Sequence, residues 1–453
     1  MIPAPEVVDR ALASTSVDDT IVLVTDTSTA NVRWAGNSMT TNGSTRSRRW
    51  TVVSIVREGA RRKVGVVTSA SVDTDDIAAV VRASEDAARA AEPASDAMPL
   101  VGGGTDTDWA EPAAHTAIGV FDALARDLSS GFDAADRLYG YAEHSVDTTW
   151  LGSSTGLRRR VVQPTGSVEI NGKRGDASAW AGTGTRDFTD VDTAALLAEL
   201  TRRLDWSTRT VALPAGRYDT LLPPSTVADL MIPLMWSMEG RAAEEGRSAF
   251  SRRGGGTRVG DTLTELPLTL YSDPALPGLE AAPFVATTTS NDAVSLFDNG
   301  MTVDRVEWIR DGALGALAYP RSAAHEFDAS VAVPGDNLAL ESHTATTLDD
   351  LIAGTERGLL LTTLWYIREV DPASLLLTGL TRDGVYLVED GAVTAAVNNF
   401  RFNESPLDVL ARARGASRTE RTLPREWKDW FTRTAMPALR VPDFNMSSVS
   451  KAT

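Results

Sequence analysis

Cysteine is absent from the 453-residue chain, which removes disulfides, thiolate nucleophiles and cysteine metal ligands together. Histidine is nearly as scarce, with four residues in all, so imidazole metal sites have very few candidates. No run of eighteen apolar residues occurs, and the opening MIPAPEVVDR has no basic stretch leading into an apolar one. Neither a membrane span nor a signal peptide is therefore expected. Basic residues are in deficit, 44 Lys and Arg against 61 Asp and Glu, and the formal charge of −17 implies no surface for neutralising phosphates. Direct nucleic-acid binding is not expected. Absence of cysteine suits a reducing cytoplasm, and a cytoplasmic location is the expectation.

What remains reads as a globular chain, 42% hydrophobic and 23% charged, long enough for two or three domains. The hydrophobic period predicts helices over 5–16, 73–92, 114–128 and 194–206. It predicts strands over 20–25 and 31–36, a polar turn at 37–44, and a hairpin of 51–58 with 63–69 about Gly59. A meander follows at 137–150, 157–163, 167–173 and 177–185. A Pro- and Gly-containing link at 208–216 marks a boundary between an N-terminal α+β domain, 1–210, and a C-terminal β-rich domain, 211–453. The second half carries strands at 266–271, 303–310, 313–319, 359–368, 375–380, 385–389 and 393–400. Short helices are expected at 348–356 and 406–414, and the tail from Arg418 is expected to lie along the surface.

One stretch, 225–251, organises the second half: STVADLMIPLMWSMEGRAAEEGRSAFS. It follows Pro223-Pro224 and offers Ser225 or Thr226 as N-cap, with Asp229 closing a capping box on Thr226. Val227, Leu230, Met231, Leu234, Met235 and Met238 recur at helical spacing, and Pro233 should kink or restart the helix. The Met- and Trp-rich face is either a core filled by adaptable side chains or an apolar surface for a partner subunit or an unfolded peptide.

The tail of this stretch, Glu239-Gly240 followed by Gly246, Ser248, Phe250 and Ser251, resembles the zinc-motif helix of the TldD/PmbA family, peptidases once called modulators of DNA gyrase. In that family's zinc-bearing branch the helix reads His-Glu-x-x-x-His. Counted back without a gap, those positions are Met231, Ile232 and Trp236, and none of these side chains is a normal zinc ligand or water-activating base. RWAGNSMTTNG near the start, LLLTGLTRDGVYLVEDGAVTAAVNNFRFNESPLDVL and the closing PALRVPDFNMSS are similar to family segments in the same order, so the resemblance spans nearly the whole chain.

The resemblance implies an α+β fold of two domains, the C-terminal one a mostly antiparallel sheet around a central helix. It implies a TldE-like subunit that pairs with a zinc-bearing TldD-like chain, or associates with itself, and helps it cleave unfolded or small peptides. No catalytic residue, metal ligand or cofactor is expected in this chain; the zinc would lie in the partner. The family's zinc site also uses a cysteine, which this chain lacks. Glu239, Arg33 and Asn37 are candidates for substrate or partner contact, with Trp34 equally a core residue. Two rivals stand beside this reading: a non-enzymatic homodimeric peptide-binding or scaffold protein, and an independent hydrolase working through Glu239, Glu244 or Glu245.

Other motifs carry less. His325-Glu326 lacks a second histidine four or five residues on, and His343 would have to approach it in space. His115 and His144 are expected in surface or packing roles. Gly152-Ser153-Ser154-Thr155-Gly156 matches a nucleophile elbow, but the strand-like LRRRVV after it predicts a hairpin turn. Gly254-Gly255-Gly256 lacks the Gly-Lys-Ser/Thr ending of a phosphate loop and reads as a plain loop.

Overall fold

Alternation of apolar and polar side chains carries the first half of the chain into strands longer than the sequence pattern predicts. In the computed structural model, which describes residues 2–70, 73–132 and 136–450, α1 (Ala4–Ala13) leads into β1 (Asp19–Ala35), β2 (Met39–Glu58) and β3 (Arg61–Ser69). Residues 20–25 and 31–36 are thus one strand, and 37–44 is mostly the start of β2. Then come α2 (Thr74–Ala90), α3 (Asp122–Phe132), β4 (Arg137–Ser153), β5 (Leu157–Arg174), β6 (Ala177–Thr185) and α4 (Thr193–Trp206). The expected helix over 114–128 begins only with a 3-10 turn at Ile118–Phe121, and 157–163 with 167–173 form a single strand. The sheet runs β3-β2-β1-β4-β5, with β6 antiparallel on β5 and the two-residue strand Gly104–Thr105 parallel to it.

Side-chain alternation along β1 assigns its two faces. Val22 and Val24 pack under α1 and α2 with Trp50 and Trp150, and Ala30, Val32 and Trp34 pack under α3 and α4 with Leu200 and Leu204. Ile21 and Leu23 point the other way, against Phe284, Leu296 and Phe297 of the second half, so the opposite face forms the junction between the halves. Trp34 is a core residue, and Gly140 faces it because a Cβ there would lie 2.2 Å from the indole.

The second half starts with β7 (Gly216–Leu222), α5 (Pro224–Trp236), α6 (Gly240–Glu244), β8 (Leu268–Ser272), β9 (Val306–Arg310), α7 (Arg321–Phe327), β10 (Leu338–Ser342) and α8 (Leu348–Ala353). It continues with β11 (Arg357–Leu361), β12 (Leu364–Asp371), β13 (Leu376–Thr381), β14 (Val385–Glu389), β15 (Ala392–Val397), β16 (Phe400–Glu404), α9 (Pro406–Arg412), β17 (Glu420–Thr422), β18 (Thr434–Met436) and β19 (Leu439–Val449). A ten-stranded sheet runs β12-β13-β16-β19-β7-β11-β14-β15 and ends on Thr210–Val211, with Gly415–Ala416 added to β19. A six-stranded sheet runs from Ala313–Leu314 through β9-β8-β10-β18-β17. Most pairings are antiparallel, so the class is α+β, as the sequence predicts.

The tail does not lie along the surface. β19 is an interior strand between β16 and β7, and Leu439, Val441, Phe444 and Met446 are fully buried. α5 is the central helix, and every residue from Thr226 to Met235 is buried, the pattern of a helix enclosed on all sides. It passes through Pro233 without ending there. The expected capping box is not formed: Pro223 is the N-cap, Pro224 takes the first helical position, and Thr226 donates instead to the Leu361 carbonyl at 2.8 Å. Among the described residues no helix is long and apolar enough to cross a membrane.

Candidate functional site

The C-terminal end of α5 opens into a cleft of about 650 Å³. Ser237 caps the helix, and the chain then extends: Gly240 donates to the Ala318 carbonyl at 2.8 Å and Ala318 donates to that of Met238 at 2.7 Å. This turns Glu239 into the cleft. Gly240 is required next, since a Cβ would fall 2.2 Å from the Tyr319 ring. α6 and the turn at Gly246, where φ is +77°, bring Arg247 and Ser248 to the rim.

The facing wall is β12, an edge strand of the ten-stranded sheet, through Ile367 and Glu369, with Pro372 and Leu377 beside it. The remaining wall is an indole pair: Trp236 and Trp427 meet edge to face with ring centroids 5.1 Å apart. Trp427 donates through Nε1 to the Asp229 carbonyl at 2.9 Å. The neighbouring Glu426 carboxylate accepts the N–H groups of Tyr366 at 3.0 Å and Ile367 at 3.1 Å, where Tyr366 has φ +53° and the pairing of β12 shifts register. The tail segment and the edge strand are therefore fixed to each other and to α5.

Burial raises the proton affinity of Glu239, repulsion from Asp292 and Glu369 adds to it, and Arg247 opposes it. Arg247 itself is held by Glu245 at 2.6 Å and Asp292 at 3.1 Å. Arg241 pairs with Glu326, which takes the glutamate of the single His-Glu dipeptide into an ordinary ion pair.

Zinc does not fit the place where the family motif would put it. Met231 and Ile232 are 0% exposed in the core of the second half, and only Trp236, 41% exposed, reaches the cleft. A thioether and an alkyl group facing the core supply neither a ligand nor a base there. Among the described residues no three His, Asp or Glu side chains come together as a metal-holding group.

The structure unites Trp236 and Glu239 but not the other two candidates. Arg33 is exposed on β1, opposite Tyr141 of β4. Asn37 occupies a left-handed turn position, φ +64°, its amide donating to the carbonyls of Phe132 and Asp136 and its oxygen accepting from the Leu138 N–H. That side chain is committed to holding the turn. Sequence reasoning missed Ile367, Glu369 and Trp427, which come from 130 to 190 residues farther along the chain and have no local spacing signal.

The remaining motifs have structural explanations. Ser154 lies in the turn between β4 and β5 and accepts the Thr20 N–H at 3.1 Å. His144 is buried between the Thr116 hydroxyl, 2.6 Å, and the Arg186 carbonyl, 2.9 Å, and burial lowers its proton affinity. His115, His325 and His343 are exposed. The glycine loop is closed by the Arg252 N–H bonding to the Gly256 carbonyl at 2.8 Å.

Residues 215–448 match the family model described as PmbA/TldA metallopeptidase C-terminal domain. No curated protein matches the chain. Among solved structures, TldE from Thermococcus kodakarensis superposes with a TM-score of 0.76 at 14% identity, covering 97% of this chain and 98% of its own. A protein from Bacteroides thetaiotaomicron described as a candidate modulator of DNA gyrase gives 0.75 at 15% identity, covering 98% of each chain. One from Thermotoga maritima, described likewise, gives 0.74 at 12% identity, covering 97% and 99%. At these identities the likeness is one of fold.

Proposed function

Because the chain belongs to the PmbA/TldD metallopeptidase family, we propose that it is the zinc-free, TldE-like subunit of a peptidase complex, inactive alone. The observation that carries this reading is the fate of the motif helix. The positions for two ligands and a base hold Met231, Ile232 and Trp236, two of them sealed in the core, yet the cleft beside the helix is open and lined by side chains from three separate segments. Loss of chemistry with retention of a shaped cleft fits a chain that positions an extended substrate for a partner's metal.

In this reading the units are 1–210 and 211–453, the complex is cytoplasmic, and the substrates are unfolded or small peptides. A TldD-like chain supplies the zinc and the water-activating base. The edge strand β12 beside the cleft offers main-chain hydrogen bonds to an extended peptide, which is a sequence-tolerant way of holding it. The deciding experiment measures metal content and peptide hydrolysis for the purified chain, alone and co-expressed with a His-Glu-x-x-x-His-bearing relative. No zinc and no hydrolysis alone, with a stable active complex on co-expression, is the expected result. Chelator-sensitive cleavage by the isolated chain would overturn it, and a stable homodimer that ignores the relative would favour the scaffold alternative.

A further inference from the structure

The cleft carries two carboxylates, one from each of its facing walls. Glu239 is half-buried at its inner end and Glu369 is exposed on the facing edge strand, and neither hydrogen-bonds nor ion-pairs through its side chain with any described residue. The cation among the lining residues, Arg247, is already shared between Glu245 and Asp292. Half-buried carboxylates are ordinarily partnered, so Glu239 is a group with a missing counterpart, and the exposed Glu369 adds a second negative charge to the same lining. The same lining holds the indoles of Trp236 and Trp427, with Ile367, Pro233 and Pro372 completing an apolar wall. Indole faces attract cations, and apolar walls suit a hydrocarbon stem.

We propose that the cleft is a specificity pocket for a basic side chain, lysine or arginine, of an extended peptide. Its stem lies on Trp236 and Trp427, and its charged head lies between Glu239 and Glu369. The peptide backbone then runs beside β12 past Tyr366 and Ile367, whose N–H groups the Glu426 carboxylate already occupies, leaving the portion from Arg368 to Asp371 alongside the cleft. The side chain opposite in charge to the lining is selected, and an acidic one is repelled by Glu239 and Glu369. This inference rests on the reading of the chain as a peptide-positioning subunit.

The test uses the full-length chain, alone and in complex with a zinc-bearing relative, and short blocked Gly/Ser peptides differing only in a central lysine, norleucine or glutamate. Binding is followed by tryptophan fluorescence and calorimetry at low and high salt. The lysine peptide is expected to bind about ten-fold more tightly than the norleucine peptide at low salt, an advantage that shrinks with added salt, and the glutamate peptide more weakly than either. Glu239→Gln with Glu369→Gln should abolish the lysine advantage and leave norleucine binding unchanged; Glu369→Gln alone, on an exposed strand, reduces it without a folding burden. Equal binding of lysine and norleucine peptides, or a lysine preference surviving the double substitution, would overturn the pocket while leaving peptide positioning intact. Failure of every peptide to bind, to the chain or to its complex, would overturn the peptide-positioning reading and the pocket with it.

Discussion

Asp229 Oδ1 accepts the backbone N–H of Glu426 at 2.9 Å, joining the central helix to a segment 197 residues later in the chain. The same two residues anchor both walls of the cleft: the Asp229 carbonyl accepts from Trp427, and the Glu426 carboxylate holds the bulge of β12. Asp229 Oδ2, in contrast, is buried without a hydrogen-bond partner among the described residues. A polar group left this way carries a desolvation cost, which shows in the proton affinity of the carboxyl.

Burial pushes the Asp229 carboxyl well above the usual carboxylate range; the Glu426 N–H bond opposes the rise, repulsion from the Glu426 carboxylate adds to it, and Arg425 opposes it. The folded chain therefore binds this proton more tightly than the unfolded chain. Between the unfolded value, about 3.9, and the raised folded value, stability falls as pH rises, and above that window the penalty is constant. An asparagine side chain at this position does not titrate and can still accept from Glu426 through its oxygen. Urea midpoints of wild type and Asp229→Asn, compared from pH 4 upward, should diverge in favour of the variant as pH rises. Parallel curves would show that the carboxyl has no raised affinity.

Installing the family's metal motif should fail for a structural reason. Met231 and Ile232 are enclosed by the core of the second half. Met231→His with Ile232→Glu places an imidazole and a carboxylate where no partner exists, a loss of roughly 3–5 kcal/mol by analogy with unpaired buried charges. Trp236→His alone, at the cleft surface, should cost about 1 kcal/mol through the lost indole contact. The triple variant is expected to unfold at lower urea and to bind no stoichiometric zinc. Zinc-dependent peptide hydrolysis by it would contradict the assignment of these positions.

Hydrophobic period and turn residues make most elements of the chain legible, and the helical spacing of Val227, Leu230, Met231, Leu234 and Met235 marks the helix whose central place the family resemblance implies. What stayed hidden depends on contacts distant in sequence. Asp229 stands at capping-box spacing from Thr226, but the Leu361 carbonyl takes the threonine and the Glu426 N–H takes the aspartate, so tertiary partners override the local motif. β19 carries Pro442 and Asp443, the latter at φ +56°, which break the strand pattern, and the register of β19 against β7 shifts between Val441 and Phe444. A strand interrupted by a bulge reads as irregular tail until its neighbours are known. Positions 231, 232 and 236, which hold no zinc ligand, follow from the family resemblance, whereas the indole pair requires the fold to bring Trp427 to Trp236.

Removing Trp427 separates structural from binding roles at that pair. Trp427→Ala deletes the Nε1 bond to the Asp229 carbonyl and the edge-to-face contact with Trp236, and it widens the cleft beside α5. The expected loss is about 3 kcal/mol, in the range of large aromatic truncations. Trp427→Phe keeps a ring but not the donor and should lose about 1 kcal/mol, the net worth of one hydrogen bond. Denaturation midpoints that place Phe and Ala together would assign the stability to the hydrogen bond and not to packing.

Glu239 is aimed into the cleft by its backbone. Its direction depends on the extended segment that pairs with Ala318 and on the sharp approach of Gly240 to Tyr319, where any Cβ would lie within 2.2 Å of the ring. The Tyr319 hydroxyl donates to Glu244 at 3.1 Å, so the ring is not free to swing aside. Gly240→Ala must displace either the tyrosine or the segment, at about 1–3 kcal/mol. Displacing the segment moves Glu239 out of the cleft, and a companion Tyr319→Ala opens the space the new methyl group needs. Stability and lysine-peptide affinity should both fall in Gly240→Ala, and the affinity should recover in the double variant even though the lost tyrosine keeps stability low. Unchanged affinity in Gly240→Ala would show that the position of Glu239 does not depend on this contact.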